Sequence, residues 1–231
     1  PHRRAALAAV DTLLDALPLR PCTQRIPARE AAAGPCALHE LGRCAAPCAG
    51  RQTVAEYAPA VEALAALVEG RDDAPLHALA AQVDALAGRE RFEAAAHRRD
   101  GLAALVLALG RAQRLATLAD LPELVAARPD GDAGWEIAVL RHGRLVAAGT
   151  APRGIPPRPV IAEVCRGAQV VLPGDGPLRG APVEEVRLLH RWLTEGGTRL
   201  VACDVAWAEP ARGAASWEAW AERARPLEGA R

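Results

Sequence analysis

The sequence predicts a mainly α-helical protein with a small C-terminal α+β domain. Three observations carry that reading. Apolar residues make up 51% of the 231 residues, yet alanine dominates them and aromatics reach only 3%, so cores must come from small-residue helix contacts. Up to about residue 118, apolar positions recur at three- and four-residue spacing, the period of an amphipathic helix. From about residue 135 that period gives way to loose alternation, the pattern of half-buried strands.

Taken in order, His2–Ala16 sets Leu7, Val10, Leu13 and Leu14 on one helical stripe. Leu17-Pro18 ends it, because proline disfavours the helical region for the residue before it. Residues 1–18 are expected to be the last helix of a domain that lies upstream. Residues 19–52 hold four cysteines among Arg, Gly, Pro and Ala, and residues 53–120 read as helical. Thr53-Val54-Ala55-Glu56 fits a capping box, followed by an apolar face of Tyr57, Val61, Leu64, Leu67 and Val68 and a terminating Gly70. Asp72 or Asp73 then caps a second helix with Leu76, Leu79, Val83 and Leu86, ended by Gly88. A third runs from about Arg89 to Leu118, with Phe92, Ala95, Ala96, Leu102, Leu105 and Val106 on one side. These two helices make an αα-hairpin that can close on its own protein, with Phe92 as core anchor, or on a partner's hairpin.

Pro122–Gly134 contains Arg128-Pro129-Asp130-Gly131 and reads as a linker. Residues 135–210 read as the α+β domain, in the order ββααβ. Its strands Trp135–Arg141 and Arg144–Thr150 flank a two-residue turn, His142-Gly143. Helices Val160–Val171 and Val183–Glu195 follow, then a buried strand, Thr198–Val205. Residues 211–231 are expected to be loosely ordered, although they carry Trp217 and Trp220.

Charge limits the function classes. Twenty-eight basic residues balance 28 acidic ones, which argues against a uniformly basic nucleic-acid binder. The balance is uneven along the chain. Residues 1–52 carry seven Arg against four acids, and residues 53–110 five Arg against nine acids. Arg141, His142, Arg144, Arg153 and Arg158 form a second basic stretch. No unbroken apolar run approaches the roughly 20 residues of a membrane span, and no signal-peptide layout is present. The expectation is an internal or C-terminal piece of a longer cytoplasmic protein with no membrane contact.

The strongest chemical signal is Cys22, Cys36, Cys44 and Cys48, spaced C-x13-C-x7-C-x3-C. Thiolates are soft ligands, and four of them suit tetrahedral zinc or an iron–sulfur cluster. Structural zinc sites generally use two chelating pairs, and only Cys44–Cys48 is such a pair, so the spacing leans toward a bulkier centre. Disulfides and unrelated buried thiols are the ordinary alternatives. Cys165 and Cys203, far apart in sequence, read as small core residues. Arg20, Arg25, Arg43 and Arg51 surround the four thiols and could contact phosphates; solvated surface is the plain alternative. Asp175 and Asp204 are lone acids that make no convincing metal pair.

CALHELGRCAAPCAG, preceded by LRPC, resembles the cysteine-rich region of UvrC, the nuclease subunit of nucleotide excision repair. LAGRERFEAAAHRRDGLAAL resembles the UVR motif, whose core appears as Phe92-Glu93-Ala94-Ala95-Ala96-His97-Arg98-Arg99-Asp100. The nearest resemblance is to the C-terminal part of actinobacterial fusions of a DEDD (DnaQ-like) exonuclease with a GIY-YIG nuclease. It implies that Cys22, Cys36, Cys44 and Cys48 hold a 4Fe–4S cluster, with zinc as the alternative, and that the cluster helps to position DNA. It also implies that the hairpin pairs with UvrB or a similar hairpin through Phe92, Glu93, Arg99 and Asp100. Catalytic residues of the GIY-YIG domain would lie upstream, as would any divalent metal for phosphodiester hydrolysis. The RNase H-like half and helix-hairpin-helix repeats of full UvrC are not seen. The expectation is therefore a non-catalytic tail of a DNA-repair nuclease, with a zinc-stabilised interaction module as the rival.

Overall fold

The computed structural model describes residues 3–26, 34–208 and 210–224. Parts of the expected first helix, cysteine segment and tail (1–2, 27–33 and 225–231) lie outside those residues. The chain forms two compact units, one built from residues 1–110 and 211–231, the other from residues 111–210.

In unit one, α1 (Arg3–Ala16) is followed by one short turn of helix, α2 (Ala37–Glu40), and then by α3 (Val54–Val68), α4 (Ala74–Ala87) and α5 (Phe92–Ala119). The last turns of α5 pass into unit two. The capping box expected at the start of α3 is present. Glu56 N–H donates to Thr53 Oγ1 at 3.2 Å, and Thr53 N–H donates to Glu56 Oε2 at 2.8 Å. Gly70 closes α3 at φ +75°, with Arg71 N–H donating to Ala66 O at 2.8 Å, a Schellman stop. α4 ends at Gly88 as expected, although not by a left-handed glycine. Gly88 stays right-handed, and Glu90 takes the left-handed position at φ +59° while Arg91 N–H reaches Leu86 O.

The core of unit one joins Leu67, Leu76, Leu79, Leu102, Leu105, Val106 and Leu109, all buried. α1 packs on it through a different face from the expected one. Leu7 and Val10 are about half exposed, while Ala9 and Leu13 touch the core and Thr12 is 7% exposed. Thr12 can be buried because its hydroxyl donates to Ala8 O. Phe92, expected to anchor the core, is 66% exposed at the first residue of α5. The tail corrects a further expectation. A 3-10 turn (Gly213–Trp217) and α8 (Glu218–Ala224) bury Ala214 and Ala221 in the same core, with Trp217 and Trp220 packed against it. Trp217 Nε1–H donates to Asp73 Oδ2 at 2.9 Å. By length and composition α5 could also cross a membrane, which no unbroken apolar run in the sequence suggested; half of that window is buried, as in a core helix.

Unit two is a four-stranded antiparallel sheet in the order β3-β2-β1-β4. The strands are β1 (Leu124–Pro129), β2 (Trp135–Arg141), β3 (Arg144–Ala151) and β4 (Arg199–Cys203), with α6 (Pro157–Arg166) and α7 (Val183–Thr194) between the last two. The order is therefore βββααβ rather than ββααβ. The segment expected to be a linker supplies β1, a central strand with Leu124, Val125, Ala126 and Ala127 all buried. β4, expected to be buried, is an exposed edge strand. α6 covers one face of the sheet, where Ile161 and Val164 meet Val125, Val139 and Ile137. α7 covers the other, where Val186, Leu189 and Leu193 meet Ala126, Ala138 and Leu140. A Cβ on Gly149 would lie 2.5 Å from Val164 Cγ2, so this glycine lets α6 approach β3. The hairpin turn is as the sequence implied, with His142 at φ +48° and Gly143 at φ +72°, the twist of a type I′ turn.

Two arginines of the second basic stretch are committed to holding unit two together. Arg141 pairs with Glu123 (2.6 and 2.8 Å) and donates to Gln169 O (2.8 Å). Arg144 donates to Gly180 O.

Candidate functional site

Residues 19–52 lack the means to build a core of their own. Among the described residues of that span only Ala46 is buried, at 1% exposure. What orders the segment instead is a set of turns at or beside Cys36, Cys44 and Cys48, while Cys22 lies in a stretch without regular structure. Cys36 begins α2 and accepts at its carbonyl from His39 N–H (2.9 Å); its own residue is exposed. Cys44 is half-buried, and its carbonyl lies 2.9 Å from His39 Nδ1. Cys48 sits in a 3-10 turn (Pro47–Ala49) bracketed by two left-handed residues, Ala46 at φ +53° and Gly50 at φ +70°. Cys22 is half-buried, with Arg20 Nη1 3.7 Å from its sulfur.

All four cysteines are free thiols, as are Cys165 and Cys203. Among the described residues no three His, Cys, Asp or Glu side chains converge in a geometry that would hold a metal ion. The structure therefore sets the four cysteines along one segment without bringing three of them together as metal ligands. As a donor set they still fit a thiolate-bound group, since they are unpaired, partly accessible and carried by a segment that has almost no apolar core.

A cavity of about 550 Å³ opens beside this segment, lined by Leu14 to Leu19, His39, Arg43 and Cys44. His39 was not singled out from the sequence. The only available signal was its place inside CALHELGRC, between two cysteines. Tyr57 was likewise read only as a helix-face residue, yet its hydroxyl accepts from Arg20 N–H at 3.3 Å and ties the segment to α3.

The four arginines separate into two kinds. Arg20 is engaged locally, with Nη1 donating to Gln24 O at 2.6 Å. Arg25, Arg43 and Arg51 are exposed, and their side chains have no ion-pair partner among the described residues. In the hairpin, Phe92 and Glu93 face solvent at the start of α5. Arg99 and Asp100 pair with each other at 2.7 and 2.9 Å, about 40% exposed. The neighbouring Arg98 pairs with Asp15 of α1.

Comparison with known proteins places this segment. Residues 1–67 match the model of the UvrC/Cho excinuclease middle domain. A Mycobacterium tuberculosis protein whose name assigns it bifunctional exonuclease/endonuclease activity is 50% identical over 215 residues, covering 91% of this chain and 33% of that protein. UvrABC system protein C of Desulforudis audaxviator is 31% identical, over 63% of this chain and 24% of its own length. That of Streptomyces coelicolor is 32% identical, over 62% and 20%. The chain thus spans a third or less of the length of these relatives. No solved structure matches it significantly. Residues 1–67, which hold all four clustered cysteines, thus carry the match to the UvrC/Cho excinuclease middle domain, and the chain is similar over a longer stretch to UvrABC system protein C.

Proposed function

We propose that this chain is a non-catalytic portion of a DNA-repair nuclease, in which residues 19–52 present a DNA-positioning surface ordered by a thiolate-bound centre. The observation that carries the reading is the pairing of four free thiols with a segment that buries one of its described residues, inside the stretch that matches the excinuclease middle domain. Cys22, Cys36, Cys44 and Cys48 would hold the centre, read as a 4Fe–4S cluster because two of the three spacings between them are long. When bound, such a group would supply a cross-link that fixes the four cysteine-bearing stretches relative to one another; no redox step is required of it.

This chain's own residues do the rest. Arg25, Arg43 and Arg51 are exposed and uncommitted, which leaves them able to neutralise phosphates. Arg20 is a weaker candidate because its guanidinium is already bonded to the Gln24 carbonyl. His39 holds the Cys44 carbonyl and so positions the turn that carries Cys44 and Arg43. One longer relative is named a bifunctional exonuclease/endonuclease, and in this reading catalysis and its divalent metal belong outside these residues. The UVR-like hairpin offers Phe92 to a partner such as UvrB. A two-thirds exposed phenylalanine supports a protein contact there rather than a closed hairpin.

Anaerobic purification of the chain tests the centre. Four iron and four sulfide per chain, with brown colour, is the expected result. Stoichiometric zinc in a colourless protein would convert the reading to a zinc-ordered module, and absence of both would remove it. For the hairpin, Phe92→Asp is expected to abolish capture by UvrB, and unchanged capture would eliminate the partner role.

A further inference from the structure

β4 leaves one edge of the unit-two sheet open. It pairs with β1 on one side only, and Leu200, Val201 and Val205 are each about half exposed. It carries neither Lys nor Pro, two of the devices that blunt an edge. The ladder with β1 reveals which peptide groups are free. Asp204 N–H donates to Glu123 O, and bonded and non-bonded pairs alternate along an antiparallel ladder, so Ala202 and Arg199 also face β1. Leu200 and Cys203 turn their N–H and C=O groups outward.

A bulge interrupts the register. Val125 pairs with Ala202 and Ala126 with Leu200, which leaves Val201 as the extra residue. In a regular strand, positions 199 and 204 would lie on opposite faces. The extra residue shifts the alternation, so Arg199 and Asp204 share the α6 face, while Leu200 and Cys203 share the α7 face. Arg199 stacks over the Trp135 ring at 5.3 Å, and neither Arg199 nor Asp204 has an ion-pair partner among the described residues.

We infer that a second copy of this chain docks on this edge, β4 against β4 antiparallel, making one continuous eight-stranded sheet. Two independent criteria select the same register. Setting the outward peptide groups of Leu200 opposite those of Cys203 also sets Arg199 of each copy opposite Asp204 of the other, on the same face. The strand's ends are self-complementary in charge, as a twofold contact requires. Two five-residue strands bury well under the roughly 1,200 Å² of a standard interface, so the association is weak.

Sedimentation and light scattering of the whole chain, from about 10 µM to about 1 mM, test this. A concentration-dependent dimer is expected. Asp204→Arg sets like charges together twice and is expected to raise the dissociation constant about tenfold or more. The double variant Arg199→Asp/Asp204→Arg reverses both charges and is expected to restore it to within about threefold. Leu200→Pro removes an outward N–H without touching the β1 ladder and is expected to abolish dimerisation with an unchanged circular dichroism spectrum. A monomer throughout, a dimer indifferent to Asp204→Arg or Leu200→Pro, or a double variant that stays monomeric would each overturn the inference.

Discussion

Gly143→Ala perturbs the point where the β2–β3 turn enters the interior of unit two. Gly143 sits at φ +72°, and an added Cβ would lie 3.0 Å from Val186 Cγ2 and 3.3 Å from both Cα and Cβ of Ala119. An L-residue in the left-handed region costs about 1–2 kcal/mol. The contacts add about 1–3 kcal/mol, because Val186 is wholly buried and Ala119 Cα is main chain that cannot turn aside. Gly154→Ala is the control. It shares the backbone conformation at φ +82°, but nothing lies within 4 Å of its Cβ, so only the first cost applies. Hydrogen exchange of peptides covering residues 135–151 reports the local stability of unit two apart from unit one. Gly143→Ala is expected to speed exchange well over 30-fold in these peptides, and Gly154→Ala about 30-fold at most. Equal effects would refute the packing argument and leave backbone conformation as the whole explanation.

Two further outcomes follow from the same kind of reading. The Glu56 carboxyl is held below its usual range by the Thr53 main-chain N–H first and the Thr53 hydroxyl second. A depressed acid contributes stability that is present above its unfolded pKa and lost as pH falls through the folded one. The α3 cap is therefore expected to be intact at neutral pH and to weaken only from about pH 4 downward, with Thr53→Ala flattening that acid limb in a pH series of thermal melts. Burial, and then the Glu123 carboxylate, push the Cys165 thiol upward. In metal-free protein at mildly alkaline pH, mass spectrometry should find Cys36 alkylated by iodoacetamide well before Cys165. Equal rates would contradict the half-buried placement of Cys165 under the sheet.

Local chemistry was legible in the sequence where one short stretch settles the conformation. The Thr53–Glu56 box, the Gly70 stop and the His142-Gly143 turn are all of this kind, each fixed by hydrogen bonds or φ angles within a few residues. β1 was not legible because a strand buried on both faces shows no alternation. Its alanines have low strand propensity, and Arg-Pro-Asp-Gly looks like a loop. RLVAC reads as an interior strand for the opposite reason, since an apolar run says nothing about whether a second neighbour exists. α1 turned its alanine and threonine side inward because Gly101 opposite leaves room only for a small side chain; a Cβ there would lie 2.9 Å from Thr12 Oγ1. At the candidate site, the cysteine spacing and the arginines could be read directly. The engagement of Arg20 with Gln24, the His39–Cys44 contact and the Tyr57 hydroxyl could not, because each depends on how turns fall in space.

Trp217 and its neighbours join a body whose other residues end about a hundred positions earlier. During synthesis the leucines of α4 and α5 leave the ribosome long before Ala214 and Ala221 can cover them. Residues 111–210 have time to settle first, with the earlier helices waiting half-wrapped. A protease cut or stop codon near Pro210 would spare the sheet and strip the lid from the leucine cluster, so damage after residue 210 is felt in helices a hundred residues earlier.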